Sequence, residues 1–305
     1  MIRLLAIGVC ASMILAARPL ANANPYHFSL SAIMKYKQTL FLAAVSLAVV
    51  SLMSPTLWAQ GDSAEHTKKG IELAKEKKYD QAAEEFGAAM KADPNDPKHY
   101  LNRGRAYRAA GKLDLAEKDF SKLIEMDAKS SNGYSERGKV KVSQKKFDDA
   151  IADLSKAIEI DDNDIDSYRF RAFAYLSKND FDKAVADYTE VLGDKAGDAQ
   201  ALERRAFCFE RLKQWDKAIE DLSALIKASP KDAEAYRRRG YAYSQSGDNA
   251  KALADYQKVL ELKPADKDAQ NAIKAVQSRM GGGASPAPAG AVSPASAPAP
   301  SPAKP

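Results

Sequence analysis

Between residues 63 and 266, the pattern of apolar and polar positions along the chain repeats every 34 residues. Within each period, apolar residues recur three and four positions apart on either side of a short polar break. This spacing predicts two amphipathic helices, A and B, joined as a hairpin. Because one hairpin cannot bury its own apolar face, stacked hairpins are expected to share a continuous core. The six units are 63–96, 97–130, 131–164, 165–198, 199–232 and 233–266.

Small residues occupy positions 8 and 20 of every unit, counted from its first residue. Position 8 is Gly70, Gly104, Gly138, Ala172, Ala206 and Gly240, and position 20 is Ala82, Ala116, Ala150, Ala184, Ala218 and Ala252. Larger residues stand at positions 4, 11 and 24, which in the last unit are Tyr236, Tyr243 and Tyr256. We predict that the small residues let helices A and B approach closely, with the larger side chains packed around that contact.

The residue before each unit, and the residue after the last unit, is suited to cap a helix. These residues are Asp62, Asp96, Ser130, Asp164, Asp198, Asp232 and Asp266. At such a position the side-chain oxygen accepts a hydrogen bond from a helix N–H that otherwise lacks a partner. The sequence therefore predicts that each helix A begins where its unit begins.

This pattern resembles the tetratricopeptide repeat family over about two thirds of the chain. The family signature has a large residue at position 4, a small residue at 8, an aromatic residue at 11, alanine at 20 and an aromatic residue or leucine at 24. The resemblance implies an all-α fold, a right-handed α-solenoid of stacked antiparallel helix pairs. Residues 267–280 start a seventh unit without the signature, and their single apolar stripe predicts a C-terminal capping helix.

The resemblance also implies a concave groove, lined by helices A, in which positions 5, 9 and 12 contact a peptide or a partner helix. Position 9 changes from basic to aromatic along the chain, through Arg105, Lys139, Phe173, Phe207 and Tyr241. The other predicted partner-binding residues are Leu101, Arg169 and Arg237 at position 5 and Arg108 at position 12. This surface favours a protein or peptide with an acidic portion and a portion that is apolar or binds aromatic rings. Alternatively, the three aromatic residues only pack between neighbouring helices.

Opposite charges occupy two other positions of every unit. Position 7 is Lys69, Arg103, Arg137, Arg171, Arg205 and Arg239, and position 23 is Glu85, Asp119, Asp153, Asp187, Asp221 and Asp255. We predict a ladder of ion pairs between helices A and B, within or between units. An exposed ion pair contributes about 0–1 kcal/mol, so this ladder is expected to fix the stacking of the units rather than to bind a ligand.

The sequence contains no motif of an enzyme active site or of a cofactor site. His66 and His99 follow residue 61 without a second ligand at metal spacing, so we predict two exposed histidines and no metal site. Cys208 has no histidine nearby in sequence, which favours a packed and inert thiol. The preferred interpretation is a non-catalytic interaction scaffold, and a hydrolase or transferase with an unrecognised site is the alternative from another class.

The formal net charge of +5 comes mainly from the first 61 residues, which contain four basic residues and no acidic one. Removing those four from the total of 46 leaves 42 basic against 41 acidic residues, a net charge of +1. A nucleic-acid-binding protein carries a net positive surface. The composition therefore predicts no nucleic-acid partner.

A basic segment followed by an apolar run precedes the repeats. We interpret residues 34–59 as a signal peptide cleaved after Ala59, and residues 1–33 as an over-extended gene start. The alternative is an uncleaved anchor through residues 38–58, as in an assembly factor attached to the inner membrane. Both place the repeats outside the cytosol, in the periplasm or secreted. The proline-, alanine- and serine-rich residues 281–305 are expected to form a disordered tail.

Overall fold

The computed structural model describes residues 55–281 and, from residue 61 onwards, their side chains. Over these residues the chain forms thirteen α-helices and no β-strand. The helices are α1 Pro55–Lys75, α2 Tyr79–Ala92, α3 Pro97–Ala109, α4 Leu113–Met126, α5 Ser131–Ser143, α6 Phe147–Ile160, α7 Ile165–Ser177, α8 Phe181–Asp194, α9 Ala199–Arg211, α10 Trp215–Ala228, α11 Ala233–Ser246, α12 Asn249–Leu262 and α13 Lys267–Met280. The expected segment 1–33, the part of the expected signal peptide and anchor up to residue 54, and the tail from 282 onwards lie outside the described residues.

Each helix packs mainly against the helices that precede and follow it in the chain, which confirms the all-helical solenoid. The odd-numbered helices α1 to α11 are the helices A, and each forms a pair with the even-numbered helix that follows it. Helix α5 also contacts α3 and α7 directly across the stack. One row of helices A therefore forms a shared surface, on which the predicted groove residues lie.

The close approach of helices A and B is confirmed at the small positions. A Cβ atom placed on Gly104 would lie 2.6 Å from the ring of Phe120, and one on Gly138 would lie 2.6 Å from the side chain of Leu154. The alanines at position 20 are completely buried in all six units. Each pair is therefore closed by a bulky residue at position 24 packed on a small residue at position 8.

Six of the seven predicted helix caps are confirmed. Their side chains accept hydrogen bonds from the first turns of the helices that they precede, and they are Asp96, Ser130, Asp164, Asp198, Asp232 and Asp266. The prediction for Asp62 is wrong, because α1 begins at Pro55 and already includes Asp62. Proline suits the first turn of a helix, since its fixed φ is close to the helical value and its missing N–H would have no partner there.

Helix α1 also contains the expected cleavage point after Ala59. In the part of the chain that the structure describes, no helix is both long enough and apolar enough to cross a membrane.

The last helix, α13, lies against α12. Val276 is 1% exposed and packs against Ala252 and Tyr256, while Ala269 is completely buried beside Val259. Gln270, Asn271, Lys274 and Gln277 lie on the opposite, exposed side of α13. The helix therefore covers the apolar end of the sixth unit with one face and meets solvent with the other.

Candidate functional site

The predicted charge ladder exists, and each rung lies within one unit. The basic residue at position 7 contacts the acidic residue 16 positions later, and five of the six pairs are arginine–aspartate pairs with two parallel hydrogen bonds. In the second unit, Arg103 Nε and Nη2 lie 2.8 and 2.7 Å from the two carboxylate oxygens of Asp119. The expectation of exposed pairs is wrong for these five, because their aspartates are at most 6% exposed, whereas Lys69 of the first pair is 63% exposed.

A third guanidinium nitrogen connects the ladder to the preceding unit. Nη1 of Arg137, Arg171, Arg205 and Arg239 donates to a hydroxyl 16 residues earlier, at 3.0–3.2 Å. The acceptors are Ser121, Ser155, Thr189 and Ser223. Gly87 occupies the equivalent place opposite Arg103. The four arginines are thus engaged at several nitrogens, so the ladder is a structural feature rather than a ligand site.

Three of the predicted groove residues converge on one carboxylate, Glu136 of α5. Arg105 Nε lies 3.0 Å from Glu136 Oε1, and Arg108 Nε lies 3.4 Å from Oε2. Lys139 Nζ lies 3.7 Å from Oε1 and 3.2 Å from a carboxylate oxygen of Asp166. We refer to these five residues as the Glu136 cluster.

The Glu136 cluster carries an excess of positive charge at the surface. Three basic residues face two acidic ones, which leaves a net charge of +1 (3 − 2). The Glu136 side chain is 5% exposed, whereas that of Arg105 is 44% exposed. Neither Glu136 Oε2 nor Arg108 Nε has a hydrogen-bond partner among the described residues. The cluster therefore offers an accessible guanidinium above a buried and incompletely hydrogen-bonded carboxylate.

The other predicted basic residues, Arg169 and Arg237, are also paired with acidic residues. Arg169 lies 3.1 Å from Asp198, the cap of α9, and Arg237 contacts Glu234 and lies 3.4 Å from Asp268. Burial would raise the pKa of Asp198, but hydrogen bonds from Arg169 and from the N–H of Ala201 outweigh it and hold that pKa below its ordinary value. Much of the basic character predicted for the groove is therefore neutralised by the protein itself.

The three aromatic residues at position 9 make contacts between units. Phe173, Phe207 and Tyr241 are half-buried, and each meets an aromatic ring at the start of the preceding helix B edge-on, with ring centroids 5.9–6.5 Å apart. The guanidinium of Arg204 also lies 5.0 Å from the ring centroid of Phe173. These contacts are the ones expected if the three aromatic residues only pack between neighbouring helices. Leu101 is likewise half-buried, against the core cluster that contains Phe120.

A second buried ion pair was not anticipated from the sequence. Arg238 Nε lies 3.0 Å from Glu210 Oε1, and burial raises the pKa of Glu210 above its ordinary value. Glu210 and Arg238 occupy positions 12 and 6 of successive units, where the Glu136 cluster has Arg108 and Glu136 with the charges exchanged. Opposite charges at these two positions were the signal that could have revealed both pairs.

Cys208 is completely buried, and burial raises the pKa of its thiol to about 12. A thiol with such a pKa remains protonated at neutral pH and is a poor nucleophile. The prediction of a packed, inert cysteine is confirmed.

The prediction of two exposed histidines is wrong for His99. His99 is 3% exposed, and its Nε2 lies 2.8 Å from Ser63 Oγ. One ligand atom from each of Asp93, Asp96 and His99 lies within 4.8 Å of the others, which the sequence spacing alone did not suggest. His66 keeps a side chain that is 42% exposed and lies 2.7 Å from Glu85.

Comparison with known families decides the relationship that the repeats suggest. Models described as "Tetratricopeptide repeat" match residues 67–132 and 171–233, residues 132–164 and residues 207–277. The chain belongs to the tetratricopeptide repeat family. No curated protein matches it in sequence.

Solved tetratricopeptide repeat structures have the same fold at low sequence identity. YrrB, described as a tetratricopeptide repeat protein with an unusual peptide-binding site, is 21% identical with a TM-score of 0.58, covering 63% of this chain and 99% of its own. MamA is 23% identical with a TM-score of 0.51, covering 55% of this chain and 92% of its own. Pseudomonas aeruginosa pilF is 12% identical with a TM-score of 0.56, covering 72% of this chain and 99% of its own.

Proposed function

We propose that this tetratricopeptide repeat protein is a non-catalytic scaffold that binds a protein or peptide along its helices A. The family and the helical solenoid support an interaction role in general terms. YrrB, which shares the fold, is described as having a peptide-binding site, and this supports a peptide as the kind of ligand. The Glu136 cluster is the part of the groove that we assign to an acidic residue of the partner.

The observation that carries this assignment is the exposure of Arg105 within a cluster of net positive charge. Arg169 and Arg237 have side chains that are 17% and 23% exposed and are matched by acidic partners, whereas Arg105 shares one buried carboxylate with two other cations. A carboxylate from a partner would meet a guanidinium that is only partly neutralised. Hydrogen bonds of this charged type contribute about 1.5–3 kcal/mol, which corresponds to about a tenfold to hundredfold change in affinity.

A displayed peptide library selected on the full-length protein tests this proposal. We expect the enriched peptides to contain an acidic residue and to bind the Arg105→Gln variant about tenfold more weakly than the wild type. Arg105 is suited to this test because its exposed side chain can be shortened without opening the core. The affinities would be measured by fluorescence anisotropy at constant ionic strength.

Lys122→Gln is the matched control, since Lys122 is also a half-exposed cation in an ion pair but lies on the helix B α4. Its removal is expected to leave peptide affinity unchanged. Equal losses in the two variants, or no loss in Arg105→Gln, would show that the Glu136 cluster does not contact the ligand.

We further propose that the repeats act outside the cytosol. The basic segment and apolar run before residue 60 support this location. Intact-mass measurement of the protein recovered from its native cells is expected to give a chain that starts near Gln60. A chain that retains residues 38–58 and fractionates with membranes would favour the anchored assembly factor instead, and a cytosolic chain would contradict the proposal.

A further inference from the structure

His99 is much larger than the residues at the same position of the later units. His99 is at position 3 of the second unit, and the same position in the later units and in α13 holds a small buried residue. These small residues are Gly133, Ser167, Ala201, Ala235 and Ala269. Their environment is a tight contact between helices, into which the second unit alone places an imidazole. The stacking of the later units therefore does not require a ring at this position, which is the exposed Glu65 in the first unit.

The ring of His99 is held in a defined orientation by the neighbouring helix α1. Its Nδ1 lies 3.4 Å from Thr67 Oγ1, and its Nε2 lies 2.8 Å from Ser63 Oγ. In the tautomer with the proton on Nδ1, that N–H points to Thr67 and the lone pair of Nε2 accepts from the Ser63 hydroxyl. The same nitrogen then also faces the carboxylate of Asp96. A metal ion at Nε2 would replace the hydrogen bond from Ser63, whose hydroxyl would have to turn away, while the N–H on Nδ1 continues to orient the ring, as is usual for a metal-binding histidine.

Two carboxylates complete the set of donor atoms. Asp96 Oδ2 lies 3.8 Å from His99 Nε2, a distance too long for a hydrogen bond. Two donors bound to one zinc ion at about 2.0–2.2 Å in tetrahedral geometry lie roughly 3.3–3.6 Å apart, so only a small adjustment is needed. Asp93 places its carboxylate within 4.8 Å of both. Both aspartates are partly exposed, and the three residues line a groove of about 740 Å³ between α1 and α3. An ion can therefore reach the donors directly from solvent.

We propose that Asp93, Asp96 and His99 bind one divalent transition-metal ion, for which zinc is the suitable probe. One imidazole nitrogen and two carboxylate oxygens are ligands that zinc accepts, and three protein ligands leave a further coordination position. The metal site does not depend on the Glu136 cluster, so either proposal can fail without the other.

Isothermal titration of metal-free, full-length protein with zinc chloride at neutral pH tests the site. We expect one saturable site in the wild type and at least about a tenfold weaker affinity in an Asp93→Asn, Asp96→Asn double variant. Asparagine preserves the cap of α3, because its side-chain oxygen still accepts the hydrogen bond that Asp96 accepts from the N–H of Lys98. His99→Ser is expected to give a similar loss of zinc affinity, because it removes the imidazole. The variant is expected to fold, since serine already occupies this position in the fourth unit.

The repeat supplies its own matched control. Asp161 and Asp164 stand in the third unit where Asp93 and Asp96 stand in the first, but Ser167 takes the place of the histidine. An Asp161→Asn, Asp164→Asn double variant is therefore expected to bind zinc as the wild type does. Far-UV circular dichroism would confirm that each variant is folded.

Cobalt(II) provides a second readout, since its visible absorption reports the donor atoms and their geometry. We expect a d–d spectrum in the wild type that is lost in the Asp93→Asn, Asp96→Asn variant. Absence of a saturable site in the wild type would overturn the proposal. Equal zinc affinity in the two double variants would overturn it as well, and if His99→Ser does not fold, the comparison of the double variants decides.

Discussion

Position 15 of every unit lies in the left-handed region of backbone conformation, in the turn between helices A and B. Glycine occupies it only twice, as Gly111 and Gly247. The other four units use Lys77, Lys145, Asn179 and Lys213, with φ between 58° and 62°. A residue with a Cβ atom is disfavoured there by about 1–2 kcal/mol, so tertiary packing must impose the turn. The sequence could not reveal this shared conformation, because the residue that marks it is absent from most units.

The glycines at position 8 differ in how tightly they are enclosed. A Cβ atom on Gly104 would lie 2.6 Å from a ring carbon of Phe120, which is completely buried, whereas on Gly240 its nearest neighbours would be at 3.2 Å. Alanine gains about 1 kcal/mol over glycine in a helix interior, but overpacking costs about 1–3 kcal/mol. We expect Gly104→Ala to lower the free energy of unfolding by about 1–2 kcal/mol, measured by urea denaturation.

Gly240→Ala is the comparison for this measurement. Its wider contact should let the gain in helix propensity offset the strain, and its unfolding free energy should remain close to that of the wild type. If both substitutions had the same effect, the spacing between helices would not be what selects glycine at this position.

Among the helices, the charge ladder shows what a repeat pattern can and cannot predict. Matching charges at positions 7 and 23 correctly indicated the partners. Their burial could not be read from one unit, because the solvent exposure of a carboxylate depends on how the units stack. The hydrogen bond from Arg171 to the hydroxyl of Ser155 in the preceding unit depends on the same stacking. The ladder therefore links packing within a pair to packing between pairs.

We expect Asp187→Ala to destabilise the protein by about 1–3 kcal/mol, because it removes the two hydrogen bonds that the half-buried guanidinium of Arg171 makes to the Asp187 carboxylate. Thermal and urea unfolding followed by circular dichroism would measure the change. An Arg171→Ala, Asp187→Ala double variant should lose less than the sum of the two single variants.

Glu159→Ala serves as the exposed counterpart. Glu159 pairs with Lys156 at the surface of α6, and the two side chains are 69% and 42% exposed. Removing a carboxylate from such a pair changes stability by about 0–1 kcal/mol. A loss in Asp187→Ala no larger than that in Glu159→Ala would mean that burial of the ladder contributes nothing to the fold.

For the whole molecule, the solenoid could be predicted because nearly all its contacts join helices that are neighbours in sequence. The binding surface was harder to predict. Arg169 and Arg237 carry the expected charge, but it is neutralised by Asp198, which caps the next helix A, and by Asp268 in α13. The buried His99 was missed for a similar reason, since its surroundings come from α1 and from the turn before α3. Features that cross a junction between units depend on the stacked structure rather than on the pattern of one unit.

The junction between the first two units is built differently from the later ones. Lysine replaces arginine at Lys69, and Gly87 removes the hydroxyl that would join Arg103 to the preceding unit. The hydroxyl bond that Arg137, Arg171, Arg205 and Arg239 make to the preceding unit is therefore missing at this junction, where His99 instead lies 2.8 Å from Ser63 Oγ of α1. An ion held by Asp93 and Asp96 of the first unit and His99 of the second would add a cross-link at this junction, and the rigidity of the N-terminal end would then depend on the supply of metal.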